Sequence, residues 1–138
     1  MACGFFGHRD APDEIRGEVL LAIDKLIEEG ERRFYVGNNG VFDRIVQEVL
    51  KEVSERRGDV EYAIVLTSFD ELEQAAVLGP TMIPEVLSRA PRRFAVDRLG
   101  EWVLCRCDKL IVYYRHRFSH CEKWVAKARR RRIRMIEV

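Results

Sequence analysis

This chain of 138 residues lacks any apolar run able to cross a bilayer. Its apolar stretches, such as Ala63 to Leu66 and Leu110 to Tyr114, fall far short of the roughly 18–20 residues a span requires. The opening Met1-Ala2-Cys3-Gly4-Phe5-Phe6-Gly7 lacks the basic and long apolar regions of a secretory signal. Its four cysteines, Cys3, Cys105, Cys107 and Cys121, have no disulfide-framework spacing, so reduced thiols in a cytoplasm are expected. Neither the Gly-x-Gly-x-x-Gly fingerprint nor a Walker loop with its lysine occurs, so neither an NAD dehydrogenase nor a P-loop NTPase is supported. Repeats and low-complexity tracts are absent as well.

What is present is a composition that can fold. Hydrophobic residues make up 47% and charged residues 34%, enough for one core and a single domain over residues 1–138. The net charge is only +1, yet it is unevenly spread: residues 1–100 carry −6 and residues 101–138 carry +7. Neither half is extreme enough to name a partner by itself.

Short β-rich runs alternate with helical patterns, which predicts a parallel sheet wrapped by helices. Strands are expected at Cys3–Gly7, Phe34–Gly37, Val60–Thr67, Leu110–Tyr114 and, as an edge, Ile133–Val138. Ile15, Val19, Ala22, Ile23, Leu26 and Ile27 form one helical stripe between Pro12 and Glu29. Phe42, Ile45, Val46, Val49, Leu50 and Val53 form another between Val41 and Arg57. Further helices are expected over Val96–Cys105 and, capped by Ser119, over Ser119–Arg131. Ser68 to Pro91 holds three of the four prolines and no sustained period, which predicts loop with short helical turns. The fold class is therefore α/β, a Rossmann-like three-layer arrangement with a mainly parallel sheet of about five strands. Sheets of this kind bind ligands beyond the carboxyl ends of their strands.

Two loops carry the chemistry that placement favours. After the first strand come Gly7, His8 and Arg9, and arginine is the side chain best shaped to fork onto a phosphate or carboxylate. The alternative is a turn with a surface arginine and a histidine bonded to backbone. After the second strand come Gly37, Asn38, Asn39 and Gly40, leading directly into a helix with Asp43 in its first turn. Free N–H groups at a positive helix end suit a phosphate. Asp43 suits a ribose hydroxyl, or serves only the helix dipole.

These blocks also resemble a known family. Cys3-Gly4-Phe5-Phe6-Gly7-His8-Arg9 resembles the C-x-F-T-G-H-R opening of a bacterial branch of the SLOG superfamily, Rossmann-like relatives of Smf/DprA and of the LOG phosphoribohydrolases. Arg33 to Asp43 resembles that branch's F-Y-V-G-x-x-G-x-F-D, and Pro91 to Arg98 with Trp102 resembles its third block. Asp108 to Tyr114, with His116, Lys123 and Ala128, resembles its last strand, loop and helix. The resemblance covers nearly the whole chain. It implies a domain that senses or processes a nucleotide-derived ligand, with Gly7, His8, Arg9, Gly37, Gly40, Asp43 and Arg98 as binding candidates. Where the branch carries threonine, Arg-Asn and a Gly-Gly pair, this chain carries Phe6, Leu99-Gly100 and Ser119-His120. Ser119 and His120 would donate hydrogen bonds instead of backbone access. The LOG glycine-rich catalytic motif is missing, so its N-glycosidic hydrolysis does not carry over.

The expected function is binding of a nucleotide or nucleotide-derived small molecule, with no cofactor and no metal. The Cys105, Cys107, His116, His120 and Cys121 set is too irregular for zinc, and small buried cysteines at a helix–strand junction explain it better. Catalysis by Asp43, His8 and Asp97 is an alternative that no spacing fixes. Nucleic-acid binding by Lys123, Lys127, Arg129, Arg130, Arg131, Arg132 and Arg134 is another, on the edge away from the loops. No membrane partner is expected, and a homodimer is plausible.

Overall fold

The computed structural model describes residues 2–115 and 121–138. Its centre is one sheet of six parallel strands: β1 Ala2–Gly7, β2 Arg33–Val36, β3 Glu61–Val65, β4 Thr81–Met82, β5 Cys107–Tyr113 and β6 Arg134–Glu137. Helices of any length are α1 Arg16–Glu28, α2 Val41–Arg57, α5 Arg92–Arg106 and α6 Glu122–Arg130, with short turns α3 Leu72–Ala76 and α4 Glu85–Ser88. The α/β expectation holds. No helix among the described residues is long and apolar enough to cross a membrane.

The strand order is β4-β3-β2-β1-β5-β6. The chain steps outward from β1 to β4, then returns to the other side of β1 and steps outward again. The direction of winding therefore switches between β1 and β5. At that point successive crossovers depart to opposite sides and leave a crevice above the strand ends.

Two apolar layers sandwich the sheet. Ile23, Leu26, Ile27, Phe42, Val46 and Leu50 of α1 and α2 pack with Phe5, Phe34, Ile111 and Tyr113. Leu99, Trp102, Val103, Trp124 and Val125 of α5 and α6 pack with Leu110 and Val112 on the opposite face. Alternate residues of Leu110–Tyr113 thus serve opposite layers, which is why that part of β5 is continuously apolar, whereas β5 itself begins three residues earlier than expected and includes Asp108 and Lys109.

Three further elements differ from the sequence reading. β4 adds a sixth strand inside the stretch expected as loop, and two residues are too few to show a period. The helix expected from Val96 begins instead at Arg92, directly after Pro91; Gly100 in its interior weakens the helical pattern. The last helix runs over Glu122–Arg130, and the expected Ser119 cap lies outside the described residues. Cys105 is exposed, against the expectation of a buried cysteine, whereas Cys107 is buried.

Candidate functional site

β1 delivers the first loop to the switch point. Gly7 lies in register with Tyr113 of β5, and the His8 N–H extends the pairing by donating to the Tyr113 carbonyl at 3.3 Å. Beyond it, the Arg9 carbonyl accepts from the Val41 N–H at 2.9 Å. That bond joins the loop after β1 to the start of α2. Gly40 makes the approach feasible: its φ is +151°, and a Cβ there would lie 2.8 Å from Arg9 Cα. The two glycine-marked loops therefore meet.

Gly7 has a different reason to lack a side chain. A Cβ on it would lie 2.3 Å from the Phe42 ring, so the first turn of α2 packs directly over the end of β1. Gly37 is close to the Asp43 carboxylate, at 3.1 Å from a hypothetical Cβ. Asp43 in turn closes the second loop, its Oδ2 accepting from the Asn39 N–H at 2.9 Å. Burial pushes the Asp43 pKa up to about 6, while the Asn39 N–H and the nearby Arg9 charge pull it down.

Two of the amides that sequence offered to a phosphate, those of Asn39 and Val41, are thus already satisfied from within the protein. A carboxylate occupies the position on Asn39 that an anionic ligand oxygen would take. Asn38 turns the other way: its Oδ1 accepts from Gln47 Nε2 at 3.0 Å, and the same Gln47 nitrogen donates to the Gly37 carbonyl at 2.8 Å. Its own Nδ2 faces Glu71 at 3.5 Å. Asn38 and the buried Gln47 brace the loop rather than face the crevice.

His8 is 4% exposed. Its Nε2 accepts from the Arg115 N–H at 2.7 Å, which ties the chain leaving β5 to the end of β1. Arg9 is exposed at the mouth and forms no side-chain ion pair among the described residues. Arg98 does not join this group: it lies exposed on α5, beside two surface grooves formed with Phe94, Asp97, Glu85 and Arg89. Ser119 lies outside the described residues.

Between the loops and the α5/α6 layer sits a cavity of about 220 Å³. Gly7, His8, Arg9, Asn39, Gly40 and Asp43 form its polar side. Phe6, Val96, Leu99, Val103 and Trp124 form the apolar side. Phe6 stacks on Trp124 with ring centroids 6.0 Å apart and planes 13° from parallel. Gly100 admits this indole, since a Cβ there would lie 2.3 Å from the ring. Val96, Leu99 and Val103 have the spacing of one helix face, but only packing reveals that this face meets the crevice. Sequence reasoning did not assign that wall.

The basic tract begins behind the cavity wall, with Lys123 and Lys127 over the Trp124 ring at 4.9 and 5.0 Å, and ends away from it. Arg134 pairs in register with Lys109 near the start of β5, at the opposite end of the strands from the cavity. Lys123 pairs with Asp97, Lys127 with Glu101 at 2.6 Å, Arg131 with Glu101 at 3.1 Å, Arg129 with Glu137 at 3.6 Å, and Arg134 with Glu29. Arg130 and Arg132 are the members of the tract without an ion pair among the described residues. Among those residues, no three His, Cys, Asp or Glu side chains converge on a metal position. No protein-family model matches the chain, and no curated protein matches it either.

Proposed function

We propose that the protein binds a nucleotide or nucleotide-derived small molecule in the crevice between β1, α2, α5 and α6. The observation that carries this reading is the meeting of the two loops through Arg9 and Gly40 at the mouth of a largely apolar cavity. Its volume lies below the range of about 300–1,000 Å³ typical of sites that enclose a whole drug-sized ligand. A nucleotide would therefore enter base first. The base would rest among Phe6, Leu99, Val103 and Trp124, and the phosphate would remain at the rim with Arg9. Asp43 would accept from a ribose hydroxyl, a role its carboxylate suits better than facing a phosphate. The SLOG-like blocks support the same ligand class, and the four free thiols fit a reducing cytoplasm.

The departures from the family pattern acquire a physical meaning in this reading. Leu99 stands where the branch has arginine, which shifts the second wall from anion-binding to apolar. The ligand would carry its charge at one end only.

Titration of the protein with a panel of nucleosides, cyclic nucleotides, mononucleotides and ADP-ribose tests the proposal. Arg9→Ala is expected to weaken binding of phosphate-bearing members by about tenfold to a hundredfold, since a charge-assisted hydrogen bond contributes about 1.5–3 kcal/mol. Nucleosides, lacking the phosphate, should be almost indifferent to the change. No binding by any member to folded wild-type protein overturns the reading.

A further inference from the structure

Apolar side chains left at the surface are concentrated along one edge of the sheet. Among the described residues seven large apolar side chains are exposed, and five of them, Phe69, Leu72, Val77, Val86 and Phe94, fall between the end of β3 and the first turn of α5. β4, the outermost strand on that side, lies within the same stretch. Val77 directly follows α3, whose Ala75 packs with the α1/α2 layer. Val86 lies in α4, whose Leu87 packs with the α5/α6 layer. The apolar exposure therefore flanks β4 on both faces of the sheet. An ion pair from Arg92 to Asp70 at 3.1 Å ties the start of α5 to the turn that carries Phe69.

The backbone of β4 is open along the same edge. The Pro80 and Met82 carbonyls face inward and accept from the N–H groups of Ile64 and Leu66 at 2.8 and 2.9 Å. Backbone groups alternate in direction along a strand, so Thr81 between them turns its N–H and C=O outward. Pro80 stands at an inward position and removes no donor from the open edge. Neither Thr81 nor Met82 carries a charge to repel a neighbouring strand. A strand this short cannot hold a partner by pairing alone, so its apolar flanks supply most of the association.

Charge, area and symmetry select a second copy of this chain as the occupant. A surface that meets itself has to be near neutral. Residues 69–94 carry Asp70, Glu71, Glu73 and Glu85 against Arg89, Arg92 and Arg93, a net of −1. The other edge strand, β6, borders residues 122–134, which hold seven Lys and Arg against one acidic residue; two copies meeting there would repel. The five exposed side chains present on the order of 400 Å² of apolar surface, about half of the roughly 800 Å² that each partner contributes to a stable pair. Identical antiparallel strands related by a twofold axis normal to the sheet keep every side chain on its own face only if paired residue numbers add to an even total. An axis at Thr81 meets that condition, and its outward N–H and C=O then bond reciprocally with those of its counterpart.

We propose that the β4 edge is a homodimer interface, in which β4 pairs antiparallel with β4 of a second copy about Thr81. The two six-stranded sheets become one continuous sheet, with Val77 and Val86 packed against the partner on either face of the joined strands. The interface is separate from the cavity and does not depend on the nucleotide reading.

Sedimentation equilibrium of the 138-residue chain from about 1 µM to about 200 µM tests this, with a monomer–dimer equilibrium of micromolar dissociation constant expected. Val77→Glu and Val86→Glu each bring two carboxylates into the joined surface and should weaken association at least about a hundredfold. Leu21→Glu, at the 71% exposed leucine of α1, should leave it unchanged. Amide exchange gives the second readout: the Thr81 N–H should slow as protein concentration rises, whereas the amides of β6 keep one rate. A wild-type chain that stays monomeric across the range overturns the proposal. So does a dimer that survives Val77→Glu and Val86→Glu, one that Leu21→Glu dissociates, or a Thr81 exchange rate independent of concentration. Should either glutamate variant not fold by circular dichroism, the exchange measurement on wild-type protein decides alone.

Discussion

Asp43 is held in the folded protein by two opposed effects. Its surroundings withdraw water from the carboxyl, and the Asn39 N–H and Arg9 only partly compensate. The pKa therefore rises from an ordinary 3.8 to about 6. Because the folded state binds this proton more tightly than the unfolded chain does, ionising Asp43 costs stability. The protein is fully relieved of that cost below the unfolded pKa. Stability is lost as pH climbs through about 4 to 6 and stays lost above, by at most about 3 kcal/mol. Asp43→Asn keeps an oxygen for the Asn39 N–H and removes the charge. It should be more stable than wild type at about pH 8, with the advantage gone by about pH 4. Urea unfolding across that range checks it; an advantage that persists in acid would contradict the account. The residue was legible in the sequence as a first-turn carboxylate beside the Gly37–Gly40 loop. Its altered titration was not, because burial is a matter of packing: the Asp43 carboxylate and Leu99, of a helix more than fifty residues further along, both come up against Gly37.

At the scale of elements, the crossing of α5 and α6 is set by one missing side chain. Gly100 lets the Trp124 indole lie against the α5 backbone, and Phe6 of β1 stacks on that indole from the sheet side. Gly100→Ala gains helix propensity but must displace a ring fixed between two elements. Overpacking of this kind costs about 1–3 kcal/mol, which outweighs the gain of about 1 kcal/mol. The net effect should be destabilising, with a looser cavity. Gly17 in α1 offers the contrast, because a Cβ there meets nothing within 4 Å. Gly17→Ala should stabilise by about 0.5–1 kcal/mol, so the same substitution changes sign between two helices. Denaturant midpoints of both variants measure this directly. Most of these elements could be read beforehand, since the stripes of α1 and α2 and the apolar run of β5 each carry their own period. β4 and the true start of α5 could not. The first is shorter than any period, and the second depends on Pro91 starting a helix in a proline-rich stretch.

At the scale of the whole molecule, the basic tract runs from the Trp124 wall of the cavity to the opposite end of the sheet, where Arg134 pairs in register with Lys109. The basic tract is largely matched by Asp97 and Glu101 of α5, Glu137 of β6 and Glu29, which directly follows α1. A tract neutralised in this way releases few counterions on meeting a polyanion. Duplex or single-stranded oligonucleotides are accordingly expected to bind weakly and only at low salt. Arg130→Ala with Arg132→Ala should remove that remaining affinity and leave small-ligand titrations within about twofold, because these two arginines lie at and beyond the far end of α6 from the cavity. Salt-dependent binding at physiological ionic strength would reverse this conclusion. Local pattern alone determined the α/β class, the parallel sheet and the two glycine-marked loops that meet beyond the strand ends. Those features follow from spacing along a single strand or helix, which a linear chain displays. Tertiary structure decided that Arg98 stands apart, that Asn38 braces its loop, and that Leu99, Trp124 and Cys121 share a cavity with His8. Each of those outcomes depends on which helix face meets the switch point, and that is settled only when residues distant in the chain compete for the same space.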